Sequence, residues 1–214
     1  MGQIPVVTKR FNDHEIEDIA VLWNRRVNTA LKVLSYRMDR RSLINDYIDS
    51  VERYNVKAKA KNVKFLLPSD DIVATPVKSD KLDKKGRPVI EYQDAKTNPD
   101  MNCPDSAAGL DIGPATVAAY SAEVAKAKTI LWNGPMGLFE NKQFAAGTNA
   151  VAQAVANATQ KNGAKSIIGG GDSVKALNKA KLGDKVTFMS TGGGASLEFL
   201  EGTELPGVAA LSDK

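Results

Sequence analysis

The chain has 214 residues, 43% hydrophobic and 25% charged, with a formal net charge of +4, long enough to bury a sizeable core as one large domain or two small ones. No apolar run approaches the roughly 18 residues of a membrane helix, and Met1 to Arg10 lacks the apolar centre of a signal peptide, so no membrane partner and a cytoplasmic location are expected. One cysteine, Cys103, and one histidine, His14, exclude an internal disulfide framework, multi-cysteine or paired-histidine metal sites and histidine triads.

The charge is uneven. Residues 1–61 hold 12 Lys or Arg against 8 Asp or Glu, whereas residues 62–214 hold 17 of each. A boundary near residue 60 follows, with a helical segment over 1–57 and a second unit over 58–214. From Asp13 to Met38, Ile16, Ile19, Trp23, Val27, Ala30, Leu31, Leu34 and Met38 recur at steps of three or four, which predicts an amphipathic helix. A second helix is predicted from about Ser42 to Tyr54.

Val63 to Leu67 reads as a strand ended by Pro68, followed by a short one at Ile72 to Ala74. Pro76 to Ala108 is polar and reads as a surface excursion, with a turn at residues 84–88 and a short strand at Val89 to Tyr92. Leu110 to Ile112 resumes the core, and Pro114 suits the first turn of a helix through Ala127. Thr129 to Trp132, Ser166 to Ile168 and Val186 to Met189 read as strands. Helices are expected at Lys142 to Gln160, after Asp172 and after Gly194, an alternating β/α pattern.

Each of those three strands runs into a glycine cluster: Asn133-Gly-Pro-Met-Gly-Leu-Phe-Glu140, Gly169-Gly-Gly-Asp-Ser173 and Ser190-Thr-Gly-Gly-Gly-Ala-Ser196. Strand, glycine turn, helix is how an open parallel sheet builds an anion site at the carboxyl ends of its strands. Any one cluster is more often just a tight connection; three on successive strand ends favour a phosphate or nucleotide site. Dinucleotide and P-loop fingerprints both fail, because Val174 and Leu197 stand where a third glycine belongs and no Gly-x-x-x-x-Gly-Lys-Ser/Thr occurs. Asp172 is the best candidate Mg²⁺ carboxylate, with helix capping by Asp172 or Ser173 as the plain alternative. Glu140 suits ribose hydroxyls, and equally a solvent-facing first turn.

These motifs, with Gly109-Leu-Asp-Ile-Gly-Pro114 and Leu205-Pro-Gly-Val-Ala-Ala-Leu211, resemble the carboxy-terminal, nucleotide-binding domain of phosphoglycerate kinase, from near Ala58 to the end. The resemblance implies a parallel Rossmann-like α/β sheet, ATP or ADP with Mg²⁺, and phosphoryl transfer to and from 3-phosphoglycerate. It further implies that Glu140 meets the ribose and Gly109 the adenosine pocket. Asn133, Gly170, Gly171, Asp172 and Ser173 would bind the nucleotide phosphates, with Asp172 holding the metal. Gly192, Gly193 and Gly194 would face the transferring phosphoryl group, Gly171, Gly193 and Gly194 acting in catalysis.

The sequence also departs from that family. A whole member looks about twice this size and carries a Gly-Gly-Ala-Lys motif that these residues lack. Phosphoglycerate would then bind only if a substrate domain came from elsewhere. The strand at 63–67 would sit at a sheet edge, two strands short of Thr129 to Trp132, leaving an apolar face for the amino-terminal helices or for self-association. Nucleotide binding without catalysis is one alternative function. Another is an interaction role for a basic helical head bearing Arg25, Arg26, Arg37, Arg40 and Arg41; nucleic acid is the weaker partner there, since such faces are usually only solvated.

Overall fold

The computed structural model describes residues 19–23, 53–83, 86, 88–100, 103 and 106–211. Four strands form a parallel sheet: β1 (Ile19–Trp23), β5 (Thr129–Asn133), β6 (Lys165–Gly169) and β7 (Phe188–Ser190), in the order β1-β5-β6-β7. Three more, β2 (Asp71–Leu82), β3 (Pro88–Asn98) and β4 (Ala108–Ile112), form an antiparallel sheet in the order β3-β2-β4. After residue 112 the helices are α1 (Pro114–Val124), α2 (Ala146–Asn162), α3 (Gly171–Lys179), α4 (Gly193–Glu201) and α5 (Pro206–Ala209). Residues 53–60 are also helical.

The strands of the parallel sheet follow one another in a single direction. Right-handed crossovers then put α1, α2 and α3 on one face. The core agrees: Tyr120 and Val124 of α1, Val151 and Val155 of α2 and Leu177 of α3 share one buried cluster with Ile130, Trp132 and Ile168 of the sheet. In α2 the buried residues Thr148, Val151, Ala152, Val155 and Ala156 repeat at three and four, the spacing of a single apolar stripe. That helix stops at Gly163, whose φ of 69° makes a left-handed cap. On the sheet's other face the register aligns Leu131, Ile167 and Phe188. Their exposure rises along the row from 7% to 38% to 60%.

The predicted strands at the three glycine clusters are present, as are the helices after them. Four expectations change. Residues 19–23 of the predicted 13–38 helix form β1, paired with β5 from Ile19↔Thr129 to Trp23↔Asn133. The β5 ladder is therefore satisfied by a strand, not left as an edge. Its apolar run Ile-Ala-Val-Leu-Trp fits either period, and tertiary pairing decides. The rest of the predicted amino-terminal helices, apart from residues 53 and 54, and the arginines of the basic head lie outside the described residues.

Residues 63–68 are not a strand. Leu66 packs against the main core and its carbonyl accepts from the Tyr120 hydroxyl at 3.5 Å, so this apolar segment lies beside α1. The polar stretch after Pro76 keeps its expected strand at 89–92 and its exposure but is more regular than expected, a long β2–β3 hairpin with a bulge where Val73↔Lys96 gives way to Thr75↔Gln93 and Asp94 takes φ 54°. Helix α1 ends at Val124, three residues before the expected Ala127.

The second sheet packs through Ala74, Leu110 and Phe144, with Tyr92 edge-on to Phe144 at 5.2 Å between ring centroids. Asp70 ties it to α1. Its carboxylate accepts from the Ala115 amide at 2.9 Å, the Thr116 amide at 2.7 Å and the Thr116 hydroxyl at 2.6 Å. Burial alone pushes that carboxyl up, but the Thr116 hydroxyl and the two amides outweigh it and hold it below its ordinary value.

Candidate functional site

The carboxyl ends of β5, β6 and β7 lie side by side, with Asn133 beside Gly169 and Gly169 beside Ser190. Gly170 takes φ 89°, a conformation side chains rarely allow, and turns the chain from β6 into α3 while its N–H donates to Ser190 O at 2.9 Å. A Cβ on Gly193 would stand 2.9 Å from Gly170 Cα, so the two bends touch. Asn133, only 8% exposed, bridges them by donating from Nδ2 to Gly193 O at 3.1 Å. Asn133, Gly170 and Gly193 thus form one cluster on the rim of the sheet.

Gly170 is also the N-cap of α3, and no side chain caps it. Neither Asp172 nor Ser173 takes the capping role that the sequence offers them. Asp172 sits in the first turn, partly exposed, with Lys175 Nζ 3.4 Å from its Oδ1. Ser173 is buried and its Oγ accepts from Gly134 N–H at 2.6 Å. Nothing lies within 4 Å of a Cβ built on Gly171. The first N–H groups of a helix have no partner inside it, and its dipole favours an anion there. At α4 the Gly192 and Gly193 amides are engaged in their own turn, with Ser190 Oγ at 3.2 Å and Thr191 O at 3.0 Å. The unpartnered first-turn positions of that helix are therefore Gly194 and Ala195.

Residues 134–140 leave this rim and run to the second sheet. Trp132 Nε1 donates to Gly134 O at 2.6 Å; Thr148 Oγ1, fully buried, accepts from the Met136 and Gly137 amides at 3.0 and 3.2 Å. Leu138 N–H donates to Leu110 O at 2.7 Å. Gly109 precedes that residue in β4, opposite Val73, and exposed Glu140 ends the segment. Residues 134–140 thus link the rim cluster of Asn133, Gly170 and Gly193 to the second sheet, where Gly109 lies, and end at Glu140.

Asp111 braces that joint. It is 5% exposed and accepts from Gly147 N–H at 2.7 Å and Ile112 N–H at 3.0 Å. Burial pushes its carboxyl up to about 6, against the pull of those two amides. Sequence reasoning misses Asp111, Thr148 and Lys179 as supports of the site. Thr148 alone leaves a signal, a polar residue on the buried stripe of α2.

Among the described residues no three His, Cys, Asp or Glu side chains gather as a metal cage. A lone rim carboxylate such as Asp172 does fit Mg²⁺, which takes one or two carboxylates and completes its shell with phosphate oxygens and water.

Comparison with known proteins places the chain in a family. A relative from Chlorobaculum tepidum, a phosphoglycerate kinase, is 56% identical over 157 residues, covering 73% of this chain and 36% of that protein. The phosphoglycerate kinase of Prosthecochloris aestuarii is 44% identical over 212 residues, covering 99% of this chain and 49% of that protein. The solved phosphoglycerate kinase of Coxiella burnetii superposes with a TM-score of 0.64 at 38% identity, over 90% of this chain and 46% of that one. The chain thus spans about half the length of such relatives, or less. A family profile described as Phosphoglycerate kinase matches residues 22–203, reaching well before the Ala58 at which the recognisable motifs begin. The chain belongs to the phosphoglycerate kinase family.

Proposed function

We propose that this chain binds magnesium-complexed ADP or ATP across the rim of its parallel sheet, as the nucleotide half of a phosphoglycerate kinase. The observation that carries this reading is the meeting of the Gly170 and Gly193 bends, bridged by Asn133. It aims the starts of α3 and α4 at one region, where two helix termini favour a polyphosphate. Asp172 would hold Mg²⁺, which when bound offsets phosphate charge. Asn133, Gly170, Gly171, Ser173, Gly192, Gly193 and Gly194 would shape the phosphate side. Glu140 would accept from ribose hydroxyls, with Gly109 at the adenosine end.

In the proposed reaction a β-phosphate oxygen of ADP attacks the acyl phosphorus of 1,3-bisphosphoglycerate. The bond to the acyl oxygen breaks and 3-phosphoglycerate leaves as a carboxylate. Positioning and charge stabilisation dominate such transfers, so Gly171, Gly193 and Gly194 would act through backbone geometry. A substrate domain supplied elsewhere would present the acyl phosphate.

A thermal melt with and without Mg-ADP tests the binding, since a ligand of the native state must raise Tm. A rise that Mg²⁺ alone does not give, and that Asp172→Asn diminishes, supports it; no rise at millimolar ligand overturns it. A second reading, nucleotide binding without turnover, is favoured by the lack of a Gly-Gly-Ala-Lys motif in these 214 residues. A coupled assay separates the two, because activity above the blank excludes the non-catalytic version.

A further inference from the structure

Helix α3 grips residues 134–140 at three points spaced three residues apart. Ser173 Oγ takes the Gly134 N–H at 2.6 Å. Ala176 is buried in one cluster with Phe139 and Ala145. Lys179 Nζ donates to Phe139 O at 2.9 Å and to Glu140 O at 3.3 Å, and lies 5.9 Å from the centroid of the Phe139 ring. Residues three apart share one helix face, so positions 173, 176 and 179 form a single row of clamps. The same helix opens with Asp172. One rigid element therefore fixes both the rim carboxylate and, about 10 Å along its axis at 1.5 Å per residue, the turn bearing Glu140.

The far end of that row borders open space. Lys179, Ala180 and Leu182 line one side of a cavity of about 490 Å³, and Lys142, Ala145, Asn149 and Gln153 line the other. Lys179 therefore stands between that space and the Phe139–Glu140 turn it holds. Two carbonyls held by one ammonium are firmly placed, because a charged donor makes stronger hydrogen bonds than a neutral one.

We propose that Lys179 is a positioning residue for nucleotide binding: through the Phe139 and Glu140 carbonyls it sets where the Glu140 carboxylate stands relative to Asp172, and so governs affinity for the ribose portion of the ligand. This rests on the nucleotide reading above. A polyphosphate without a ribose is indifferent to Lys179; a nucleoside diphosphate is not.

The test compares Mg-ADP and Mg-tripolyphosphate binding by calorimetry for wild type, Lys179→Met and Lys179→Arg, each first checked for an intact melting transition. Hydrogen exchange of the 138–141 amides in the unliganded proteins is measured alongside. Lys179→Met is expected to weaken Mg-ADP roughly tenfold, the scale of one charge-assisted hydrogen bond. It should leave tripolyphosphate unchanged and speed exchange at 138–141, and Lys179→Arg should recover most of the loss. Combined with Glu140→Ala, Lys179→Met should add little further loss, because both act on one contact. Equal losses for the two ligands would reduce Lys179 to a general surface charge and overturn the proposal. Wild-type binding of Mg-ADP with no change in Lys179→Met overturns it while leaving the nucleotide reading intact; a wild type that binds neither ligand overturns both. Should Lys179→Met lose its melting transition, Lys179→Arg and Lys179→Gln carry the same comparison.

Discussion

Gly193 stands so close to Gly170 that the first side-chain carbon added to it would meet the Gly170 Cα at 2.9 Å. The neighbour is backbone, so it cannot swing aside, and Gly193→Ala must push the two bends apart. Helix α4 contains no fully buried residue, so the shift costs little stability. Calorimetry should show Mg-ADP weakened by about tenfold or more, about 1.4 kcal/mol, with Tm nearly unchanged. Undiminished affinity would mean that the contact between the bends does not shape the ligand site.

Asp70 predicts a stability effect far from the rim. The N-cap of α1 is Gly113, without side-chain capping, so Asp70 serves that helix from an earlier segment. Asp70→Ala strands the Ala115 and Thr116 amides and should cost about 2–3 kcal/mol, read as a lower urea midpoint at constant m-value. Its folded carboxyl is lowered. Its stabilisation is therefore present above the ordinary carboxylate value and is lost as pH falls through the lowered one.

Thr148 separates hydroxyl from shape. Thr148→Val keeps the volume but leaves the Met136 and Gly137 amides without their acceptor, and should cost about 1–3 kcal/mol. Thr148→Ser keeps the acceptor and loses only a methyl, about 1 kcal/mol. The order of the two midpoints in chemical denaturation checks this; valine equal to or better than serine would refute it.

Asp111 gives a pH dependence of the opposite sign. Its carboxyl is raised from 3.8 to about 6 in the folded chain, so the native state holds the proton more tightly than the unfolded state. Its contribution to stability is largest below about pH 4, falls through the interval up to about pH 6 and is flat above. At about 1.4 kcal/mol per unit, the span is about 3 kcal/mol. Asp111→Asn cannot titrate. The stability of wild type minus that of the variant should fall by that amount between pH 4 and pH 7, and a pH-independent difference would refute the assignment.

How much of this was legible depended on whether side chains or backbone carried the signal. Ile130, Trp132 and Ile168, each fully buried, announce β5 and β6, and the glycines after them announce bends at the rim. The β2–β3 hairpin is legible only at Ile72–Ala74, the turn and Val89–Tyr92, because most of the rest is exposed and main-chain pairing holds it without a hydrophobic pattern. The strand expected at 63–67 and the helix expected over 19–23 fail for a related reason: short apolar runs say that something is buried, not against what. The clamp at Lys179 joins residues 40 and 39 positions apart, which no local pattern encodes.

The outward row of Leu131, Ile167 and Phe188 crosses the strands two residues before the glycine rim, and it lies on the face away from the helices. A polar replacement such as Phe188→Ser therefore changes how the molecule behaves in concentrated solution without changing what its strand tips can hold.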